Sequence, residues 1–412
     1  MRISTLQTFQ NGINGILDRQ TGVNKTQQQI SSGRRVLTPA DDPIASTKIL
    51  QLQQDIAQKD QYKRNMTAAK NRLNLEEATL KTATDNLARL KELTVNAGGG
   101  SLTIEDRQAI SAEVKQIEKA MVDLFNTKDA GGEYIFAGFR GSEQPFVRGE
   151  NGRYDFKGDE GQRFLAISDS TTIPTGDSGK GIFVDVKAIA NTFSTQVSTA
   201  NQGDAKISAG FVSDKEKYAE FYPDDLVITF NPDDAVTPNR STFSVRRASD
   251  NRIVDGLDKM PYNAGTSIEA EGVQFKIYDI PQQGDQFIIK SSPRQSITDT
   301  LYRLSEGLDT LQDNQADSEI LDNLISDTLN NLSFSEESIS KTRSKIGARL
   351  NVVENNEKLI ADVELVSKKV LSELSDVDFA EAASRLSFQT VVLEAAQQSY
   401  VTISRLSLFD KL

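Results

Sequence analysis

A chain of 412 residues with 37% hydrophobic residues is long enough for two or three domains with substantial cores, and its net charge of −12 argues against a general affinity for nucleic acid or membrane surfaces. It contains no cysteine, histidine or tryptophan, which removes disulfides, thiolate and imidazole metal ligands, Cys and His nucleophiles and the usual general base. The expectation is a non-enzyme that uses no cofactor and no metal and binds no nucleic acid and no membrane.

Residues 3 to 30 place Leu6, Phe9, Ile13, Ile16, Gln20, Val23, Gln27 and Ile30 three or four apart, a narrow stripe on a helix. Arg2, Asp18, Arg19 and Lys25 are the only charges in the first 32 residues. A solvated helix face normally carries more, whereas surfaces buried against partners are depleted of charge. The opening MRISTLQTFQNGING also lacks the charged and apolar blocks of a secretory signal, and no run of eighteen apolar residues occurs anywhere.

The stretch SSGRRVLTPADDPIAS, residues 31 to 46, separates this segment from the next. Thr38 precedes Pro39 and, beyond Asp41, Asp42 precedes Pro43; each pair sets an N-capping side chain before a proline suited to a first helical turn. It reads as a stiff connector, although an ordinary helix-helix loop explains the same residues. From Pro43 to residue 97 there is no glycine and no further proline, which permits one long helix. Ile49, Leu52, Ile56, Met66, Ala69, Leu73, Leu80, Ala83, Leu87 and Leu90 form its stripe, with Asp55/Lys59, Asp60/Arg64 and Glu77/Lys81 outside it. Gly98 to Gly100 end it, and Thr103 with Asp106 opens a third helix striped by Ile110, Val114, Ile117, Met121 and Leu124.

After Gly131 the texture changes: eight of the ten prolines and nineteen of the twenty-eight aromatics lie between residues 134 and 293. Short alternating runs predict strands at 134–137, 153–157, 163–168, 225–231, 242–247, 273–280 and 286–290, with turns at KGDEGQ and PQQGDQ. Beyond Pro293 the helical pattern returns. Ile325, Leu332, Ile339, Ile346, Val353 and Ile360 repeat every seven residues, supported by Leu321, Leu350, Val363, Val370 and Leu374. A last helix from about 376 to 404 spaces Phe379, Leu386, Leu393 and Tyr400 by heptads, with Ala382, Ala396 and Ile403 between. Between Leu386 and Ser404 only Glu394 is charged, so the last helix is as charge-poor as the first.

The fold class that follows is α+β: a long coiled-coil-like helical bundle formed by N- and C-terminal segments, with an inserted β-rich domain. Three parts are expected, a terminal helical assembly domain (1–40 plus 375–412), a helical bundle domain (41–132 plus 294–374) and the β-rich insertion (133–293). The two charge-poor ends are expected to pair and to offer residual faces to identical subunits, giving a homo-oligomer. The candidate assembly residues are Leu6, Phe9, Ile13, Ile16, Val23, Ile30, Leu386, Leu393, Ala396, Tyr400, Ile403, Leu406, Leu408 and Phe409. Thr38, Pro39, Asp41, Asp42 and Pro43 form the inter-layer connector. A catalytic alternative rests on the carboxylate pairs Asp224/Asp225 or Asp233/Asp234, residues commoner as turn formers.

MRIST at the start, QQISSGRRVLTPADDPIAS at 28 to 46, GGEYIFAGF at 131 to 139, IGARLNVVE at 346 to 354 and LEAAQQSYVTISRLSLFDKL at 393 to 412 resemble the flagellin superfamily, and within it the hook-filament junction family. The match covers about residues 1 to 140 and 294 to 412. The resemblance implies an extracellular part of the bacterial flagellum, exported without a cleaved signal peptide. The partners it implies are a FlgK-type hook-associated protein, flagellin and a flagellar export chaperone. A flagellin-like filament subunit is the alternative that shares most of these motifs.

Overall fold

The computed structural model describes residues 5–99, 102–149, 152–231 and 241–409. Its contacts gather the chain up to Asn65 and from Glu354 onward into one compact unit, and Met66–Val353 into a second. The three parts expected from sequence thus differ from the two contact units at the inner boundaries. The β-rich insertion shares a unit with the helices that flank it, because those helices pack on each other and on its loops.

Helices in both units start and stop where local chemistry directs. α1 (Thr5–Ser32) ends at Gly33, whose φ of +70° is the left-handed conformation that closes a helix. α2 (Pro43–Ala97) begins at its proline, with Asp42 Oδ1 accepting from Ala45 N at 2.9 Å. α3 (Ile104–Phe125) carries the full capping box of Thr103 and Asp106. α4 (Lys215–Phe221) is capped by Asp214 and α5 (Ile297–Thr310) by Ser296. α6 (Gln315–Ser375) follows after a four-residue break, and α7 (Phe379–Phe409) closes the described chain.

In the second unit the seam of α2 from Met66 to Leu90 is buried, as are Leu332, Ile339, Ile346 and Val353 of α6. The heptad expected from sequence is the buried face of α6. α3 runs against α5: Ser111 Oγ donates to Ser305 O at 3.0 Å, Arg107 Nη2 to Leu311 O at 3.0 Å, and Lys115 pairs with Asp309.

The insertion contains four small sheets among the described residues. β1 (Phe146–Arg148) pairs with β2 (Tyr154–Phe156), and β3 (Phe164–Ala166) with β4 (Thr172–Pro174). A π-helical turn, Lys180–Val184, leads to β5 (Lys187–Val197). β6 (Lys206–Ile207) and β7 (Phe211–Val212) precede α4; β8 (Leu226–Asn231), β9 (Thr242–Arg247) and β10 (Met260–Pro261) follow it. β11 (Ser267–Ala270), β12 (Val273–Tyr278) and β13 (Gln286–Arg294) complete the series. β10-β9-β8-β13-β5 form an antiparallel sheet, and β12 gathers β11, β6 and β7. Phe193, Tyr218, Phe230, Phe275 and Phe287 fill the core between them. A second aromatic cluster sits at the end of α3, where Phe125 stacks on Phe183 at 3.8 Å and touches Phe146.

Two expectations fail locally. Residues 134–137 form a turn, because Ile135, Phe136 and Ala137 are all buried in succession and Ile135 N donates to Thr127 O at 3.0 Å. β5, an eleven-residue strand, was not expected: its inward positions include Thr192 and Thr195, whose burial is sustained by hydrogen bonds that sequence periodicity does not show.

Candidate assembly interface

In the first unit α1 and α7 pair along their length, and small residues set the spacing. Gly12 lies beneath Tyr400, whose ring meets Phe9 edge-on at a centroid distance of 5.9 Å. Gly22 faces Gln389, and Thr26 Oγ1 donates to Gln389 Oε1 at 2.8 Å. Leu393 and Ala382 are buried on α7, Thr26 and Gln29 on α1. The seam is therefore partly polar, which the apolar stripe read from sequence does not reveal.

The candidate residues divide between covered and open faces. Leu393 is buried; Phe9, Ile16, Val23, Ile30, Leu386, Ala396 and Tyr400 are half-buried; Ile13 is exposed. The side chains of Leu6, Ile403, Leu406, Leu408 and Phe409 lie outside the described residues. Leu17, Phe388, Val391 and Val401 are further large apolar side chains left exposed on these two helices. Their positions fall off the heptad stripe, and the only signal for them in the sequence was the scarcity of charge around them.

The connector is built by its aspartates. Asp41 accepts from Leu37 N at 3.1 Å and Thr38 N at 2.8 Å and pairs with Lys25 Nζ at 2.6 Å. The Lys25 ammonium, helped by those amides, holds the Asp41 carboxyl at about 2, below its ordinary 3.8. Thr38 opens a turn, its carbonyl accepting from Asp41 N at 3.0 Å, with Pro39 at the position where a fixed φ favours turning. Thr38 thus caps no helix, because the four residues from Thr38 to Asp41 close on themselves; Asp42 before Pro43 does cap one.

This connector is stitched to the one between α6 and α7. Arg35 N donates to Ser375 O at 2.7 Å, Val377 N to Gly33 O at 2.9 Å, and the Arg35 guanidinium to Leu374 O at 2.9 and 3.2 Å. Gln29 Nε2 reaches Arg35 O at 2.6 Å. Asp378 caps α7 by accepting from Ala380 N and Glu381 N, so both helices that leave this level are anchored at their starts. Lys63 of α2 and Lys368 flank Glu364 of α6, lowering its carboxyl pKa; the hydrogen bond from Lys368 contributes most.

Sequence reading missed the buried charges of the second unit. Arg349 grips Asp177 with two bonds of 2.7 and 3.0 Å, and Asp177 N donates to Glu76 Oε1 at 3.2 Å. Burial, aided by the Asp177 charge and opposed by Arg349 and Arg72, pushes the Glu76 carboxyl up to about 8. Arg153 similarly joins Asp299 to the edge of β5 through Thr195 O at 2.6 Å. These clusters tie loops of the insertion to helices. Asp224 and Asp225, the described carboxylate pair of the catalytic alternative, serve turns: Asp224 accepts from Ser249 N and Oγ, and Asp225 from Ser291 N. Asp233 and Asp234 lie outside the described residues. Among the described residues no helix is long and apolar enough to cross a membrane.

Residues 3–140 match the bacterial flagellin N-terminal helical region. Flagellar hook-associated protein 3 of Salmonella typhimurium is 33% identical over 190 residues, covering 46% of this chain and 59% of its own. The chain thus spans somewhat over half the length of that relative. The 41 kDa core protein of the Borreliella burgdorferi flagellar filament is 32% identical over 107 residues, 26% of this chain and 30% of the other. The crystal structure of hook-associated protein 3 from Legionella pneumophila superposes with a TM-score of 0.54 at 27% identity, over 79% of this chain and 98% of that one. It supports the α+β arrangement of terminal helices around a central β-rich region. The chain is thus similar to flagellar hook-associated protein 3 over part of its length and in its fold, and its residues 3–140 match the bacterial flagellin N-terminal helical region.

Proposed function

We propose that the protein is a mechanical adaptor of the bacterial flagellum, joining the hook, through a FlgK-type hook-associated protein, to the flagellin filament, and that it catalyses nothing. The observation that carries this reading is the state of the paired terminal helices. α1 and α7 cover one another yet leave Ile13, Leu17, Phe388, Val391 and Val401 in water, with Phe388 70% exposed. Large apolar side chains left open on charge-poor helices mark surfaces that another chain covers. Identical subunits meeting head to tail through these faces close into a ring or continue as a helical tube.

In this reading the terminal helices make the subunit-to-subunit contacts, and the connector at 38 to 43 separates them in sequence from the bundle helices. The chain reaches its place outside the cell by the flagellar export route, escorted by a dedicated chaperone. Immunogold labelling of isolated flagella tests the adaptor role. Label confined to the hook-filament boundary is expected, and label along the whole filament would favour the flagellin-like alternative.

A further inference from the structure

α6 carries two apolar seams, and only one is covered. Val353 and Ile360 continue the buried heptad, whereas Leu359, Val363, Val366 and Val370 are 59, 39, 62 and 38% exposed. These four follow one another at intervals of four, three and four residues, and at 100° per residue they form a stripe roughly 100° round the helix from the buried one. That spacing alternates the d and a positions of a coiled coil. Asp362 and Lys369 each sit one residue before an a position, at g, and both are exposed.

We propose that this second seam pairs two copies of the chain in solution, the α6 segments lying antiparallel across a twofold axis. In that arrangement Leu359 packs on Val370 of the second copy and Val363 on its Val366, so every seam position meets an apolar side chain. The g flanks face each other, which places Asp362 of each copy opposite Lys369 of the other and makes two opposite-charge pairs. A parallel pairing gives no such match: its g residues face the e positions Ile360, Ser367 and Leu374, and neither charge finds its opposite. Charge complementarity therefore selects a second copy in the antiparallel sense. The contact is isologous, so it closes at two and does not propagate. Four side chains are far fewer than the roughly 20 to 30 residues a side of a standard interface, so the dimer is weak and reversible. The pairing stands on α6 alone and does not depend on the junction reading.

Sedimentation velocity of the full chain, from about ten to several hundred micromolar and at low and high salt, tests it. The expected result is a monomer-dimer equilibrium that salt weakens. Asp362→Lys and Lys369→Asp should each weaken dimerisation several-fold by setting like charges face to face, and the double variant should restore it. Leu359→Lys should leave only monomer, while circular dichroism melts of all these surface variants match the parent chain. A parent chain that stays monomeric throughout would overturn the proposal. A dimer indifferent to the single charge changes would place the contact elsewhere, and single losses that the double variant fails to rescue would exclude the antiparallel register.

Discussion

Gly12 on α1 stands so close to Tyr400 on α7 that a Cβ at residue 12 would lie 2.7 Å from the ring carbon Cδ2. The closeness of the two helices at that level depends on the missing side chain. Gly12→Val should force the ring aside or the helices apart, costing about 1–3 kcal/mol of local stability. Hydrogen exchange should show faster exchange of α1 and α7 amides, with those of the Met66–Val353 unit unchanged.

Leu393 and Ile13 separate folding from assembly. Leu393 is buried between the paired helices, so Leu393→Asp sets an unpaired charge in the seam and should cost several kcal/mol, on the order of 2–5. Ile13 is 45% exposed, and Ile13→Asp should change monomer stability by no more than about 0.5 kcal/mol. Limited proteolysis should cut the first variant faster than the parent and the second at the parent rate. Both should fail to enter flagella, and normal incorporation of the Ile13 variant would sink the assembly role of that face.

The connector should be acid-labile. Because the folded Asp41 carboxyl is held at about 2, its ion pair stabilises the first unit above the ordinary value of 3.8, and that contribution fades as pH falls from there through about 2. Asp41→Asn removes the Lys25 pair at every pH. Urea unfolding between pH 2 and pH 5, followed by a probe on α1, should show a flatter acid limb for the variant.

Glu76 works in the opposite direction. Its carboxyl is raised in the folded chain from an ordinary 4.5 to about 8, so between those values the folded state holds a proton that the unfolded state has lost. Stability should therefore decline as pH rises through that window, with a slope approaching about 1.4 kcal/mol per pH unit. Glu76→Gln keeps an acceptor for Asp177 N without the charge. It should flatten the decline, so the variant overtakes the parent at alkaline pH in thermal melts.

What the sequence discloses about this chain depends on how far each stabilising group lies from its partner along it. The heptad Ile325 to Ile360, the Asp42-Pro43 start of α2 and the Thr103-Asp106 capping box are local patterns, and the structure repeats them. β5 was invisible because its inward threonines rely on Gln295, Ser208 and Arg303, residues up to a hundred or so positions away. The Glu76-Asp177-Arg349 cluster has the same difficulty: its members come from α2, an insertion loop and α6. At the terminal helices the stripe identified which residues could pair. It could not tell that Ile13 would face water while Thr26 and Gln29 were buried, because that depends on the rotation of α1 against α7.

The antiparallel packing of α3 on α5 brings the two ends of the β-rich insertion side by side. Arg107 reaches Leu311 at one end of this helix pair, and Glu118 feels the charge of Asp299 at the other. The chain leaves the pair at Phe125 and returns at Ile297, while the bonds from Arg349 to Asp177 and from Ser338 to Ile182 O tie loops of the insertion to α6 as well. Loop closure between ends held side by side costs little more for a long excursion than for a short one. A change of length in the insertion therefore costs little in chain entropy, and its cost lies in the contacts it disturbs, such as Arg349 to Asp177.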